Sequence, residues 1–252
     1  MQKIKQLYRK DYHGEDVVVD RVYRDAKWNP THEFVGNPFP TQPLSDRALV
    51  IGNGISRLEF DLKILLNHRV GNFHWEPSWH QRKFFTYGCN ALYRDFKTDF
   101  LVVTGEPDFI TDVAQSGECE ARVVYAPNWA LFEHPGKFNY IPQSPNWNSG
   151  AIAAYLAAFD GHKKVYLMGF DGNDTPNYNY NVYADTTHYP SKTDNILEDF
   201  WVQSLAAVMS TYPDVEFIRV APTDTFRTPE VWKYFLNFRT ISFRQFVTEA
   251  DV

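Results

Sequence analysis

Residues 48–56 read ALVIGNGIS, an apolar run followed at once by glycine, asparagine and a second glycine. A run that is apolar at every position, rather than at alternate ones, marks a strand buried on both faces, and such strands belong to parallel sheets covered by helices. The same signature recurs in FFTYG (84–88), FLVVTG (100–105), RVVYA (122–126), KVYLMG (164–169) and VEFIRV (215–220). Between two of these runs lies SGAIAAYLAAFDG (149–161), whose small apolar residues, opening serine and closing glycine predict a helix. Residues 194–211 predict a second helix, with Ile196, Leu197, Phe200, Trp201, Leu205 and Val208 on one side. A C-terminal helix is expected to begin near Pro229. Strands separated by helices predict a Rossmann-like, doubly wound α/β domain over 47–252, with a mostly parallel sheet and helices on both faces. Residues 1–46 differ: VVVDRVYRD (17–25) leads into Pro30, Pro38, Pro40 and Pro43. Proline fixes φ and removes a donor, so this stretch is expected to be an extended N-terminal arm packing on the core.

Composition narrows the function classes. The chain of 252 residues carries 25 Lys+Arg against 31 Asp+Glu, a net charge of −6, which has the wrong sign for a generic nucleic-acid surface. Hydrophobic residues make up 44%, enough for a full core. Cys89 and Cys119 are the only cysteines, so neither a disulfide framework nor a cysteine-rich zinc site is expected. No apolar run has the length of a membrane helix, and MQKIKQLYRKDYHGED lacks the apolar region of a secretion signal, so the expected location is the cytoplasm. Homo-oligomerisation is left open. The aromatic share is 17%, and Tyr178, Tyr180, Tyr183 and Tyr189 crowd into NYNYNVYADTTHYP (177–190). That stretch has no helical or strand period and is long for a loop, so an ordered lid is expected around 172–193.

In open α/β sheets ligands bind beyond the carboxyl ends of the strands, where helix N-termini and loop amides point. Here those ends read Gly52-Asn53-Gly54-Ile55-Ser56, Gly88-Cys89-Asn90, Gly105-Glu106-Pro107-Asp108 and Gly169-Phe170-Asp171-Gly172, with Asn146-Trp147-Asn148-Ser149-Gly150 opening the helix at 149. Each joins glycine to an amide, hydroxyl or carboxylate. Turn chemistry alone accounts for one such loop. Five at one sheet edge point to a nucleotide site, because glycine lets backbone amides approach a phosphate while Asn and Ser read hydroxyls and base edges. The pattern is neither the dinucleotide fingerprint nor a P-loop.

These motifs, in this order, resemble those of the bacterial family 42 sialyltransferases. They comprise Gly52-Asn53-Gly54 with Ser56, Gly88-Cys89-Asn90, Ser149-Gly150 opening an Ala-rich helix, Gly161 through Asp171, and Tyr183 followed by His188-Tyr189 ahead of Ser191-Lys192-Thr193-Asp194. The first and fourth also resemble the Rossmann-like group around archaeal 6-hydroxymethylpterin pyrophosphokinase. The sialyltransferase resemblance implies that Asn53 and Asn90 hold the CMP part of a CMP-linked sugar, that Ser149 and Gly150 sit by the donor sugar and phosphate, that Tyr183 hydrogen-bonds the departing phosphate and that a lid histidine is the general base. It also implies transfer without a metal. The chain departs from the family where Ile55 and Arg57 replace Pro and Leu, and it keeps one histidine before Ser191 where the family has two. His188 therefore reads equally as that base or as a histidine packed within the lid. Asp171 reads equally as a ribose or metal ligand or as a turn cap.

Three readings follow. The first is a metal-independent inverting glycosyltransferase using a nucleotide sugar, with an acceptor still to be identified. The second is a pyrophosphokinase-like enzyme requiring Mg²⁺ held by Asp171 with Glu106 or Asp108. The third is a non-catalytic nucleotide-binding protein of the same fold. His74, Glu76 and His80 match no standard metal spacing.

Overall fold

A computed structural model describes residues 2–10, 16–24, 27–30, 45–67, 84–142, 145–171, 181–190, 198–222 and 227–252. The N-terminal strands β1 (Gln2–Lys10), β2 (Asp16–Arg24) and β3 (Lys27–Pro30) pair antiparallel in the order β1-β2-β3. Of this sheet, sequence reading saw only VVVDRVYRD, which falls within β2 and the residue after it.

The central sheet begins at β4 (Arg47–Ile51). A 3₁₀ turn (Ile55–Glu59) and helix α1 (Lys63–Asn67) follow it, then β5 (Phe85–Cys89), a second 3₁₀ turn (Asn90–Arg94) and β6 (Phe100–Val102). The chain continues through α2 (Pro107–Gln115), α3 (Glu118–Ala121), β7 (Val123–Ala126), α4 (Asn128–Glu133), β8 (Asn139–Tyr140), α5 (Ser149–Phe159) and β9 (Lys164–Met168). It ends with α6 (Glu198–Thr211), β10 (Glu216–Val220), β11 (Phe238–Ile241) and α7 (Phe243–Ala250). Strand order is β11-β10-β9-β4-β5-β6-β7-β8, and every described pairing in this sheet is parallel. This is the Rossmann-like α/β fold expected from the sequence.

The unbroken apolar runs reflect burial on both faces. In β4, Ala48 and Val50 join a core with α5 and α6, whereas Leu49 and Ile51 join another with Tyr166, Met168 and Phe246 of α7. α5 is buried almost all round, because the sheet lies on one side and α6 on the other; its alanines allow that close approach. Its N-cap is Asn148, whose side chain accepts from the Ala151 N–H at 2.7 Å, so Ser149 is the first helical residue rather than the cap. Gly161, at φ 95°, follows the helix end as expected.

Two expectations change. Phe200 is 42% exposed while Leu205 and Val208 are fully buried. Phe200 lies five residues before Leu205, about 140° around the helix, so it cannot share its face. Ile196 and Leu197 lie outside the described residues. Near Pro229 the chain forms a 3₁₀ turn (Glu230–Tyr234), and the terminal α-helix starts only after β11. Trp232 holds that turn in place: fully buried, it donates from Nε1 to the Val202 carbonyl at 2.9 Å. Among the described residues no helix is long and apolar enough to cross a membrane.

Candidate functional site

The chain adds strands outward from β4 through β8, then returns through α5 to lay β9 on the other side of β4. The strand order therefore reverses at β4 and β9, and the space beyond the carboxyl ends of these strands is where this architecture binds ligands. A cleft of about 210 Å³ occupies that place. Gly52, Asn53 and Gly54 line it after β4, Cys89 and Asn90 after β5, Gly169, Phe170 and Asp171 after β9, and Asn148, Ser149 and Gly150 at the start of α5. Asn181 and Trp201 complete the wall. The structure thus brings together seven sequence-selected residues: Gly52, Asn53, Gly54, Asn90, Ser149, Gly150 and Asp171.

The glycines are required by contact between the two loops. A β-carbon on Gly52 would stand 2.6 Å from the Gly169 carbonyl oxygen; on Gly54 it would stand 2.6 Å from that oxygen and 2.5 Å from Asp171 Oδ2. Gly169 is left-handed, at φ 74°, and a side chain there would meet Gly52 O at 2.8 Å. Backbone bonds seal the junction, from Gly52 N–H to Met168 O at 2.7 Å and from Gly54 N–H to Gly169 O at 2.9 Å. Gly150 admits the Phe170 ring, which a β-carbon would approach to 3.2 Å.

Asp171 is buried and ties the same loops with its side chain. Oδ2 accepts from the Ser56 N–H at 2.8 Å, and Oδ1 accepts from the Ser56 hydroxyl. Burial raises the Asp171 pKa above the ordinary carboxylate value, opposed by the Ser56 hydrogen bonds and by the Arg219 charge. Arg219, itself buried, donates from Nε to Phe170 O at 2.7 Å. Cys89 is also buried, and desolvation pushes its thiol up to about 11 despite the Arg57 charge and the Ser149 hydroxyl. That is the state of a packed thiol rather than of a nucleophile.

Asn53 Nδ2 donates to Cys89 O at 3.2 Å, which fixes the amide plane and leaves the buried Oδ1 without a partner among the described residues. Asn90 stands in the left-handed region at φ 47°, and its Oδ1 accepts from the Thr104 N–H at 2.9 Å. At α5, Asn148 takes the Ala151 N–H, while Ser149 and Gly150 bring the first turn of the helix to the cleft.

Tyr183 and His188 are not among the cleft-lining residues. Tyr183 is buried; its hydroxyl accepts from Arg57 Nη2 at 2.9 Å and donates to Asp95 Oδ1. His188, at φ 71°, hydrogen-bonds through Nε2 with Asp112 Oδ2 of α2 at 2.8 Å, and its ring meets Phe109 edge-on at 5.6 Å. Within the expected lid, residues 181–190 are docked: the Val182 N–H donates to Asn53 O at 2.8 Å, and Val182, Tyr183 and Tyr189 belong to a core cluster with Phe109 and Leu101. Residues 172–180 and 191–193, with Tyr178 and Tyr180, lie outside the described residues, as do His74, Glu76 and His80. Glu106 and Asp108 are exposed at the start of α2 and do not meet Asp171 in the cleft. Among the described residues no group of three or more His, Cys, Asp or Glu is gathered as a metal ion would need.

Cys89, Asn148, Gly169, Phe170, Asn181 and Trp201 are the described wall residues that sequence reasoning did not select as ligand-binding. Cys89, Asn148, Gly169 and Phe170 stood within the quoted loops, and Asn181 within the expected lid; Trp201 gave no signal of its own, and folding alone brings Asn181 to Gly54, more than a hundred residues away. Trp201 packs edge-on against Trp232, with centroids 5.4 Å apart.

No family model and no curated protein matches this chain. Among solved structures it is similar to that of a variant of the sialyltransferase CST-II in complex with CMP, with a TM-score of 0.39 and 13% sequence identity. The match covers 81% of this chain and 98% of that one.

Proposed function

We propose that the protein is a glycosyltransferase that binds a CMP-linked sugar in the switch-point cleft and transfers the sugar by a single inverting displacement. The observation that carries this reading is the chemistry of the cleft wall. Among the described residues, amides, a hydroxyl and the first turn of α5 surround it, and none of those that line it is a lysine or arginine. Such a wall suits a ligand with one phosphate and many hydroxyl and amide groups better than a polyphosphate, which calls for basic side chains or a cation. In this reading the phosphate lies at Ser149 and Gly150, where the helix dipole favours an anion. The Asn53 Oδ1 acceptor, fixed and without a partner among the described residues, takes a hydroxyl or amino donor of the nucleoside. Asn90 supports the nucleoside wall, and Asp171 braces the loop beneath it. Helix and loop N–H groups meet the charge of the departing phosphate without a metal.

The test is CMP release from a CMP-linked sugar, followed with and without oligosaccharide acceptors. Acceptor-dependent release that persists in a chelator is expected; no release with any acceptor, together with no binding of CMP, overturns the reading. A second reading, nucleotide binding without transfer, is favoured by one observation: His188 sits on Asp112 and Tyr183 on Arg57 and Asp95, both outside the cleft wall. Binding of CMP with no release would select it. Under the transfer reading His188 accepts the acceptor's proton only after leaving Asp112, so His188→Ala should abolish release and keep CMP affinity.

A further inference from the structure

We infer that Arg57, Asp95 and Tyr183 form a positioning knot that sets three walls of the cleft at once. The importance of those walls for ligand binding rests on the function proposed above; the knot itself does not. Three side chains from distant parts of the sequence close a ring of hydrogen bonds. Arg57 Nη2 donates to Asp95 Oδ2 at 2.8 Å and to the Tyr183 hydroxyl at 2.9 Å, and that hydroxyl donates to Asp95 Oδ1. The Arg57 side chain is 3% exposed and Asp95 40%, so the cation is carried inside while its counter-charge reaches water. The guanidinium carbons of Arg57 and Arg94 lie 5.6 and 5.7 Å from the centre of the Tyr183 ring.

Each member of the ring is joined to one wall by a single short piece of structure. Gly54 caps the 3₁₀ turn that carries Arg57, so their relative position is fixed within one turn. Asn90 opens the second 3₁₀ turn, and Asp95 caps its end. Tyr183 donates its N–H to the side chain of Asn181 at 2.9 Å. The three walls also meet through the Asn53–Cys89 bond, the Val182–Asn53 bond, the bridge between Gly54 and Asn181, and the bonds from Arg94 to Thr186 and Thr187. The Tyr183 hydroxyl already donates once and accepts once within the ring. Its geometry is that of a positioning residue, and the tyrosine expected to meet a departing phosphate serves here to hold the wall.

Each wall has its own reporter amide. The Gly54 N–H donates to Gly169 O, the Thr104 N–H to Asn90 Oδ1 and the Val182 N–H to Asn53 O. Hydrogen exchange on the ligand-free protein reads all three, with the Thr86 N–H on Asp99 and the Lys164 N–H on Asp46 as controls at the opposite end of the sheet. Tyr183→Phe keeps the ring and removes the hydroxyl. Exchange at the three reporters should quicken together by about tenfold while the controls keep their rates, since local opening and not global unfolding is affected. Arg57→Lys, which lacks the fork that serves two acceptors, should reproduce the pattern and covers the case in which Tyr183→Phe folds poorly. Unchanged reporters, or reporters and controls rising equally, would overturn the knot. CMP affinity is measured on the same samples and should weaken about tenfold, as expected for a binding wall held less rigidly. Quickened reporters with no CMP binding even in the wild type would uphold the knot and remove the proposed ligand. Quickened reporters with wild-type CMP affinity in both variants would overturn its positioning role.

Discussion

The two ends of the central strands hold polar groups in opposite ways. At the amino ends of β4, β5 and β9, buried polar side chains satisfy one another. The Tyr87 hydroxyl donates to Asp160 at 2.7 Å and meets His162 Nε2 at 3.1 Å, and His162 Nδ1 contacts the Ser45 carbonyl at 2.7 Å. Thr86 gives both its N–H and its hydroxyl to Asp99. At the carboxyl ends, polar groups gather around a cleft, and the buried acceptor Asn53 Oδ1 has no partner among the described residues. A buried polar group without a partner is costly, and proteins keep few of them. Under the proposed function, the amino end serves stability and the carboxyl end a ligand. α5 spans the two, presenting its first turn to the cleft and following its last with Asp160 and His162.

If that contrast holds, changes at the two ends should separate stability from binding. The largest effect is expected for Gly54→Ala, whose β-carbon would press on Gly169 O and Asp171. Loss of CMP binding and about 2–3 kcal/mol of stability should follow, by calorimetric titration and urea unfolding. Next comes Tyr87→Phe at the other end, which strips Asp160 and His162 of a shared partner. It should cost about 1–3 kcal/mol in urea unfolding while CMP affinity is retained. Asn53→Ala inverts that result: CMP affinity should fall about tenfold, with stability changed by less than ~1 kcal/mol, since one hydrogen bond to Cys89 is lost.

The smallest effect concerns Asp171. Burial raises its folded-state pKa above the ordinary 3.8, so the folded protein holds the proton more tightly than the unfolded chain. The resulting stabilisation is fully present below the unfolded value and is lost as pH rises through the folded one. Thermal unfolding followed upward from below pH 3.8 should show this loss in the wild type. In Asp171→Asn that component should be missing, so a slope identical to wild type would show that the carboxylate is not desolvated as described.

How much of this was legible in the sequence follows the same division. The unbroken apolar runs disclosed the parallel sheet because burial on both faces leaves no alternation, and the Gly-Asn-Gly loop disclosed the cleft because fold topology fixes where strand ends point. β1, β3 and β11 were missed, and the C-terminal helix was placed too early. Their residues alternate polar with apolar or sit in short half-exposed pieces, as in FRTI (238–241), where only Ile241 is buried. Tyr183 and His188 were recognised as residues of a functional loop, but their partners were not. Arg57, Asp95 and Asp112 are chosen by tertiary docking of residues 181–190, and no local pattern links them to the loop.

The central claim, that the carboxyl end is built for a nucleotide, is tested most directly by CMP thermal shift on the wild type and Gly54→Ala side by side. At a CMP concentration of 100 times the dissociation constant, binding adds about 2.7 kcal/mol. For a chain of this size that corresponds to a rise of roughly 5–10 °C in Tm. The wild type should show that rise and Gly54→Ala none; no shift in the wild type, or equal shifts in both, would contradict the assignment of the cleft.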